Sequence, residues 1–427
     1  MPTDPVIVDT TIVAVGTKIP NYGTVLVVGR ESGGTAAVNT PMLLSNLTDV
    51  ATYFGGSTDT YNAAVNLFQQ GVAEAYFVKA TNTVVAAESV TKGSLQTLAH
   101  TVVAGNPIPV IAAHTFVFTD GTPTDPGAGK AMLNPRTGQI FINVGGGGSA
   151  SIAYSYTDWT NLILAISQQS IALAMLAESP MTFQFYGDWY TFINSYLDVY
   201  RIIGVAAAGW TGAESVSTIL APITIYSTRH LVAVAHKDVT NDVAASVIGV
   251  LSGIKPWDKL MWKNIDELDM TAYFSKSEVA TLEAANVNAM INKSGLDRIS
   301  DGLTRGVATL YEYVDIVRTR YYLESLIIEK LDYLIANTII QYTAEGINLV
   351  KSTVESACQE AVDVGALRTP IEVNGALSKG YVVEVPTYDS IPLADKEGRI
   401  LRNVFVTARL PGHIQEIRLN LTLEIGG

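Results

Sequence analysis

From Glu416 to Ile425 the chain alternates without a break, with Ile417, Leu419, Leu421, Leu423 and Ile425 on one face and Glu416, Arg418, Asn420, Thr422 and Glu424 on the other. Period-two alternation of this length predicts a half-buried strand. Only Gly426 and Gly427 follow it, so the apolar face is expected to find its cover elsewhere. Near the other end, Val6 to Val15 (VIVDTTIVAV) is β-branched almost throughout and also reads as a strand, with Val6, Val8, Ile12, Val13 and Val15 as its apolar positions.

Between these ends the pattern switches repeatedly between strand and helix. GTVLVVGRESGG is a strand running into a glycine turn. In the stretch from Asn46 to Ala80 the spacing predicts a helix ending at Gly55, a second from about Asp59 to Gln70 closed by Gly71, and a strand through Tyr76, Phe77 and Val78. After Asp158 come a helix, the strand RIIGVAAAG, a helix over 213–220, the strand HLVAVAH and a helix from Asn241. Such alternation predicts a mixed or parallel sheet flanked by helices. The run NLILAISQQSIALAMLA, from Asn161 to Ala177, is broken by Gln168, Gln169 and Ser170; short of the roughly twenty apolar residues that cross a bilayer, it reads as one buried helix.

Residues 82–157 differ in character. Their charges are Glu88, Lys92, Asp120, Asp125, Lys130 and Arg136, and turn signals (TDGTPTDPGAGK, NPRTGQ, GGGG) separate short β-type runs, as in a small all-β domain inserted in an α/β chain. From about Val307 helices dominate. Val314, Val317, Tyr321, Ile328, Leu331 and Ile335 form one stripe, with Asp315, Arg318, Glu329 and Asp332 on other faces. Thr343 can cap a second helix striped by Ile347, Val350, Val354, Ala357 and Ala361. GYVVEVP and RNVFVTARLP return to β structure.

Composition changes this picture in three ways. Hydrophobic residues make up 48% and charged residues 16% of the 427 positions, which leaves apolar surface that self-association would cover. A net charge of −13, with no basic run longer than two, argues against a nucleic-acid surface. MPTDPVIVDTT has neither a basic nor an apolar leader region, so no secretory signal is expected.

Candidate chemistry is sparse. In GTPTDPGAGK a phosphate loop would need glycine at Thr124 and Ser or Thr at Ala131, so a turn-rich hairpin is expected; GGGG (Gly145 to Gly148) reads as a hairpin tip. His230 and His236 bracket one strand without an acidic residue between them, a weak metal cue. Asp266, Glu267 and Asp269 read as an exposed run, and RESGG lacks the nucleophile elbow. Cys358, the single cysteine, lies beside an apolar stripe and reads as a buried structural thiol. No catalytic residue, cofactor or metal site is expected, and the chain does not read as an enzyme.

The order of segments resembles the sheath proteins of contractile phage tails and related injection systems. The likeness runs through TPMLLSNLTDVATYFGGSTDTYNAAVNLFQQGVAEAYFVKA, then RHLVAVAHKDVTNDVAASVIGVLSGIKPWDKLMWKNI, LEAANVNAMINKSG, DGLTRGV and YVDIVRTRYYLESLIIEKLDYLI, and then IQYTAEGINLVKSTVESACQEAVDVGAL with the alternating end. The resemblance implies a mixed α/β fold: a sheath-type core of mixed sheet with flanking helices, an inserted all-β domain and extended β-arms. Family members commonly carry unrelated inserts, and this one resembles decorations on sheath-like proteins of archaeal viruses.

The implied domains are an N-terminal arm (1–19), a first core part (20–81), the insert (82–157), the rest of the core (158–411) and a C-terminal arm (412–427). Val6, Val8, Ile12, Val13, Val15, Ile417, Leu419, Leu421, Leu423 and Ile425 would pair with neighbouring copies. Lys351, Glu355, Glu360 and Asp363 are the implied tube-facing positions. The implied partners are further copies in stacked six-fold rings, a tail tube protein, and baseplate and tail terminator proteins, with no direct nucleic acid and no membrane insertion. The implied location is a virion tail assembled in a host cytoplasm. A cytoplasmic α/β enzyme with an unrecognised site, or a static shell or tube protein, are the alternatives.

Overall fold

A computed structural model describes residues 23–411 except 31–32, 81, 101–109, 113, 120, 135–137, 144–147, 158, 168, 170, 178–201, 210–214, 217–219, 221–227, 238–241, 266–267, 269, 271, 307–312 and 374–375. The terminal strands expected over 6–15 and 416–425 therefore lie outside the described residues. So do the acidic run Asp266, Glu267 and Asp269 and most of the helix expected over 213–220. The chain divides into two compact units, one within Val15–Arg318 and the other within Thr319–Gly427 together with Met1–Ala14.

The first unit is built on an eight-stranded sheet. Its strands are β1 (Val25–Gly29), β2 (Met42–Leu44), β3 (Ala75–Lys79), β11 (Leu173–Leu176), β12 (Ile203–Gly209), β13 (Leu231–His236), β14 (Asn288–Lys293) and β15 (Leu296–Ile299), in the order β15-β14-β13-β12-β11-β1-β3-β2. The pairs from β14 to β3 are parallel, and β15 and β2 close the two edges antiparallel. VLVVG, LAML and LVAVAH are buried along their whole length, as expected where both faces of a parallel sheet are covered.

This geometry corrects one expectation. The run Asn161–Ala177 is not a single helix: α3 (Trp159–Ile166) ends there, and Leu173–Leu176 form strand β11 between β1 and β12. A short, uniformly apolar run fits a doubly covered parallel strand as well as a buried helix.

The sheet lies between helical layers. On one face, Leu162, Ile163 and Ile166 of α3 and Leu282 of α5 (Lys276–Ala284) join Leu26, Val28, Ala174, Leu176 and Ala233 in a continuous core. The connections on the other face include α1 (Leu47–Phe54), α2 (Asp59–Gln69) and α4 (Val243–Gly253), and the Phe77 ring lies 6.0 Å from Phe54 and 6.1 Å from Phe68. Local chemistry sets the helix starts: Asn46 accepts the Asp49 N–H (2.9 Å), Thr58 that of Tyr61 (3.2 Å), and Ser275 with Glu278 forms a capping box. Gly249 lets α4 approach α2, because a Cβ there would lie 2.7 Å from Gln70 Cβ.

Between β3 and α3, residues 82–157 form two further sheets. One comprises β4 (Asn82–Thr91), β6 (Val110–Ile111) and β10 (Ser149–Thr157), in the order β4-β10-β6. The other comprises β5 (Leu95–Thr97), β7 (Thr115–Phe118), β8 (Lys130–Asn134) and β9 (Gln139–Ile142), in the order β5-β9-β8-β7. They share a core of Val90, Leu98, Ile111, Leu133, Ile140, Ile142 and Ile152. Two turn assignments change here. β7 and β8 are parallel, so GTPTDPGAGK is a return crossover rather than a hairpin, since parallel neighbours need the chain carried back. β9 and β10 belong to different sheets, so the tetraglycine between them, whose Gly145 to Gly147 lie outside the described residues, does not close a hairpin.

The second unit contains most of α6 (Val314–Asn337), then α7 (Ala344–Asp363), β16 (Ile371–Val373) paired with β17 (Ala376–Ser378), β18 (Tyr381–Glu384), a short α8 (Leu393–Glu397) and β19 (Phe405–Ala408) paired with β18. α6 departs from the one-sided pattern. Leu323, Glu324, Ser325, Leu326 and Ile327 are consecutive and buried, and so is Arg318, whereas Ile335 is 56% exposed. Five consecutive buried positions mean that this stretch of the helix is covered on more than one side, which one hydrophobic stripe does not foretell.

Candidate assembly site

α7 begins where Thr343 accepts the N–H of Gly346 at 3.2 Å. Ile347, Val354, Ala357, Cys358 and Ala361 form its buried face, close to the predicted stripe. Burial pushes the Cys358 thiol up to about 12, so it is a neutral packing group at physiological pH.

The four charged positions of α7 singled out from the sequence lie toward its open side, and each has a local partner. Lys351 Nζ is 3.9 Å from Glu355 Oε1 one turn on, and Gln359 Nε2 donates to Asp363 Oδ1 at 2.8 Å. Glu360 reaches α6, where Lys330 Nζ lies 2.8 Å from its Oε2. This pair spans an open groove of about 500 Å³ lined by Leu326, Tyr333 and Leu334 of α6 and Ser352, Thr353 and Ser356 of α7.

The periodicity did not reveal how much apolar surface this unit presents. Of the 18 large hydrophobic residues that are exposed among the described ones, 11 lie between Tyr333 and Leu410, including Ile339 at 91%, Tyr333 at 72% and Leu393 at 70%. Single exposed apolar residues are ordinary, and among the described residues most of the large ones fall in this unit. The signal available in the sequence was the run Ile339–Ile340 between two helices, with no apolar neighbour within their stripes.

The β elements of the same unit are small. β18 pairs only with β19, and β16 only with β17, among the described residues, so each leaves an edge of backbone N–H and C=O groups that a further strand can use. The positions expected to pair with neighbouring copies, Val6, Val8, Ile12, Val13, Val15, Ile417, Leu419, Leu421, Leu423 and Ile425, lie outside the described residues.

Side chains of catalytic or metal-binding chemistry are dispersed among the described residues. Lys130 opens strand β8, and no group of three or more His, Cys, Asp or Glu side chains is placed to hold a metal among the described residues. His230 and His236 are both buried at the two ends of β13. No helix among the described residues is long and apolar enough to cross a membrane.

No family model and no curated protein matches the chain. Solved structures do. A chain of the contracted-state sheath complex of PVC, an extracellular contractile injection system, is similar with a TM-score of 0.61 at 11% identity, over 100% of this chain and 99% of that one. A chain of the six-fold-symmetrised baseplate of the anti-feeding prophage gives 0.60 at 12% identity, again over 100% and 99%. The sheath tail protein of Desulfitobacterium hafniense gives 0.50 at 11% identity, over 84% of this chain and 89% of that one. The fold is therefore that of contractile-sheath proteins.

Proposed function

We propose that this chain is the structural subunit of a contractile sheath. The observation that carries the proposal is a similar fold over 100% of this chain with chains of structures described as the contracted-state sheath complex of PVC and the baseplate of the anti-feeding prophage. The apolar surface of the Thr319–Gly427 unit and its open strand edges support polymerisation.

In this reading, copies stack as six-fold rings around a tail tube, between a baseplate and a terminator. Residues 1–19 and 412–427 are arms that add strands to neighbouring copies, and residues 82–157 are an inserted domain pointing away from the tube. Contraction repacks the bodies while the arms keep them joined. Its driving force is a packing difference between two states, a few kcal/mol per subunit on the usual scale of conformational biases, summed over many subunits. The virion tail is its location. α7, through Lys351, Glu355, Glu360 and Asp363, is the tube-facing element.

Electron microscopy of the purified full chain tests the proposal. Striated tubes of wide, contracted type, formed without added nucleotide, are expected. Discrete monodisperse particles, or assembly that requires ATP and is lost on Lys130→Ala, would overturn it in favour of an enzyme. Tubes of a single fixed diameter, with and without a tube protein to template them, would favour a static shell.

A further inference from the structure

Trp262 adopts a left-handed backbone conformation (φ 61°), which bulky residues rarely enter. It closes the segment Lys255-Pro-Trp-Asp-Lys-Leu-Met-Trp-Lys263 that follows α4. The surroundings hold it there: its N–H donates to the Ile299 carbonyl (2.9 Å), the N–H of Asp258 to that of Lys255 (3.0 Å), and Leu260 is wholly buried. Arg318 ties the start of the segment down by donating to the Ile254 carbonyl at 3.1 Å. Backbone strain kept in this way is a common mark of a functional surface.

What the segment presents is basic and aromatic. Lys293, from β14, puts Nζ 3.1 Å from the centre of the Trp262 ring; Lys259 Nζ lies 5.8 Å from the same ring, and Lys255 Nζ lies 5.7 Å from that of Trp257. Both indoles are partly exposed. The one acid within the segment, Asp258, acts on Arg318, whose burial lowers its pKa to about 10 while Asp258 and Asp315 partly offset that. Across the β14–β15 hairpin, Asp297 accepts from the Tyr273 hydroxyl at 2.5 Å. Lys255, Lys263 and Lys293 make no salt bridge among the described residues.

We infer that this turn, with Lys255, Lys259, Lys263 and Lys293 set around Trp257 and Trp262, is a docking surface for an acidic patch on a second copy of the chain. Each copy carries a net charge of −13, so copies repel on approach and need local complementarity to associate. Seating the ammonium groups of Lys255, Lys259 and Lys293 over indole faces orders them in advance, which lowers the entropy cost of immobilising these lysines at an interface. Tryptophan is also among the residues that dominate interface energetics. The inference rests on the proposal that the chain polymerises, but not on the polymer being contractile.

Zero-length carbodiimide crosslinking of a mixture of isotopically light and heavy full-length protein tests it, alongside the variant Lys255→Glu/Lys263→Glu/Lys293→Glu. Light-to-heavy links from these lysines to Asp or Glu side chains are expected. The variant should need at least tenfold more protein to assemble, with an unchanged circular dichroism spectrum. A Trp262→Gly variant, which relieves the positive φ, should fold and still assemble poorly. Those links in an assembly that is not a contractile tube would sustain the contact and remove the sheath reading. Wide striated tubes formed by the triple variant at the wild-type concentration would remove the contact and sustain the sheath reading. A wild-type chain that stays monomeric, or that loses only binding to a polyanion such as heparin in the triple variant, would overturn the inference.

Discussion

Lys330 of α6 and Glu360 of α7 meet at 2.8 Å across the groove between the two helices. Both side chains are partly open to solvent, Glu360 nearly half, so the bridge is screened and contributes less than about 1 kcal/mol. Lys330→Met should therefore shift the unfolding midpoint only slightly in low salt and not at all in 1 M salt. Equilibrium denaturation at two ionic strengths checks this. A larger, salt-insensitive loss would mean that the pair is desolvated in a way its exposure does not suggest.

Asp242 caps α4, accepting the Ala245 N–H at 3.0 Å, and burial raises its carboxyl pKa to about 7. The sign follows from proton counts. Between about pH 4, where the unfolded carboxyl ionises, and about pH 7, the folded state holds the extra proton, so stability falls as pH rises through that window. Asp242→Asn keeps a capping oxygen and removes the ionisation. It should raise the melting temperature at pH 8 and leave it nearly unchanged at pH 4, as a pH series of thermal melts would show.

Gly249 faces Gln70 so closely that an added methyl group would sit 2.7 Å from Gln70 Cβ and 2.9 Å from its Cγ. Alanine usually favours a helix interior by about 1 kcal/mol over glycine. Here overpacking should win, at a cost of about 1–3 kcal/mol. Denaturant unfolding of Gly249→Ala decides the sign.

Cys358, neutral and wholly buried, should resist thiol reagents in the native protein and react fully in denaturant. Absorbance with a disulfide reagent, followed across a denaturant series, should track global unfolding. Fast labelling under native conditions would mean that α7 opens locally.

Deletion of residues 412–427 should leave the melting temperature of the unassembled protein within about 2 °C of wild type and abolish polymerisation, because an arm that pairs with a neighbour adds little to its own fold. Calorimetry and sedimentation of the same sample measure both. A large drop in melting temperature would place this segment in its own subunit's core.

The sequence by itself determined the local elements whose signals are local. Asn46, Thr58 and Thr343 are polar residues at helix starts, and each accepts the backbone N–H three residues on, because capping is satisfied within one turn. Strands β1 and β13 were legible as short, uniformly apolar runs, and the stripe of α7 as the helical period that burial of one face imposes. The order of these elements was enough to suggest the fold.

Only tertiary structure decided the rest. Leu173–Leu176 became a strand because β1 and β12 offer it two parallel neighbours, a fact about distant residues. GTPTDPGAGK became a crossover because β7 and β8 run parallel, and α6 buries Arg318 and Glu324 because more than one side of it is covered. The lysines around Trp257 and Trp262 were ordinary charges in the sequence. They became a surface when β14 carried Lys293 over the Trp262 ring and Arg318 fixed the turn beneath it, since proximity between segments far apart in the chain is set by packing and has no local signature.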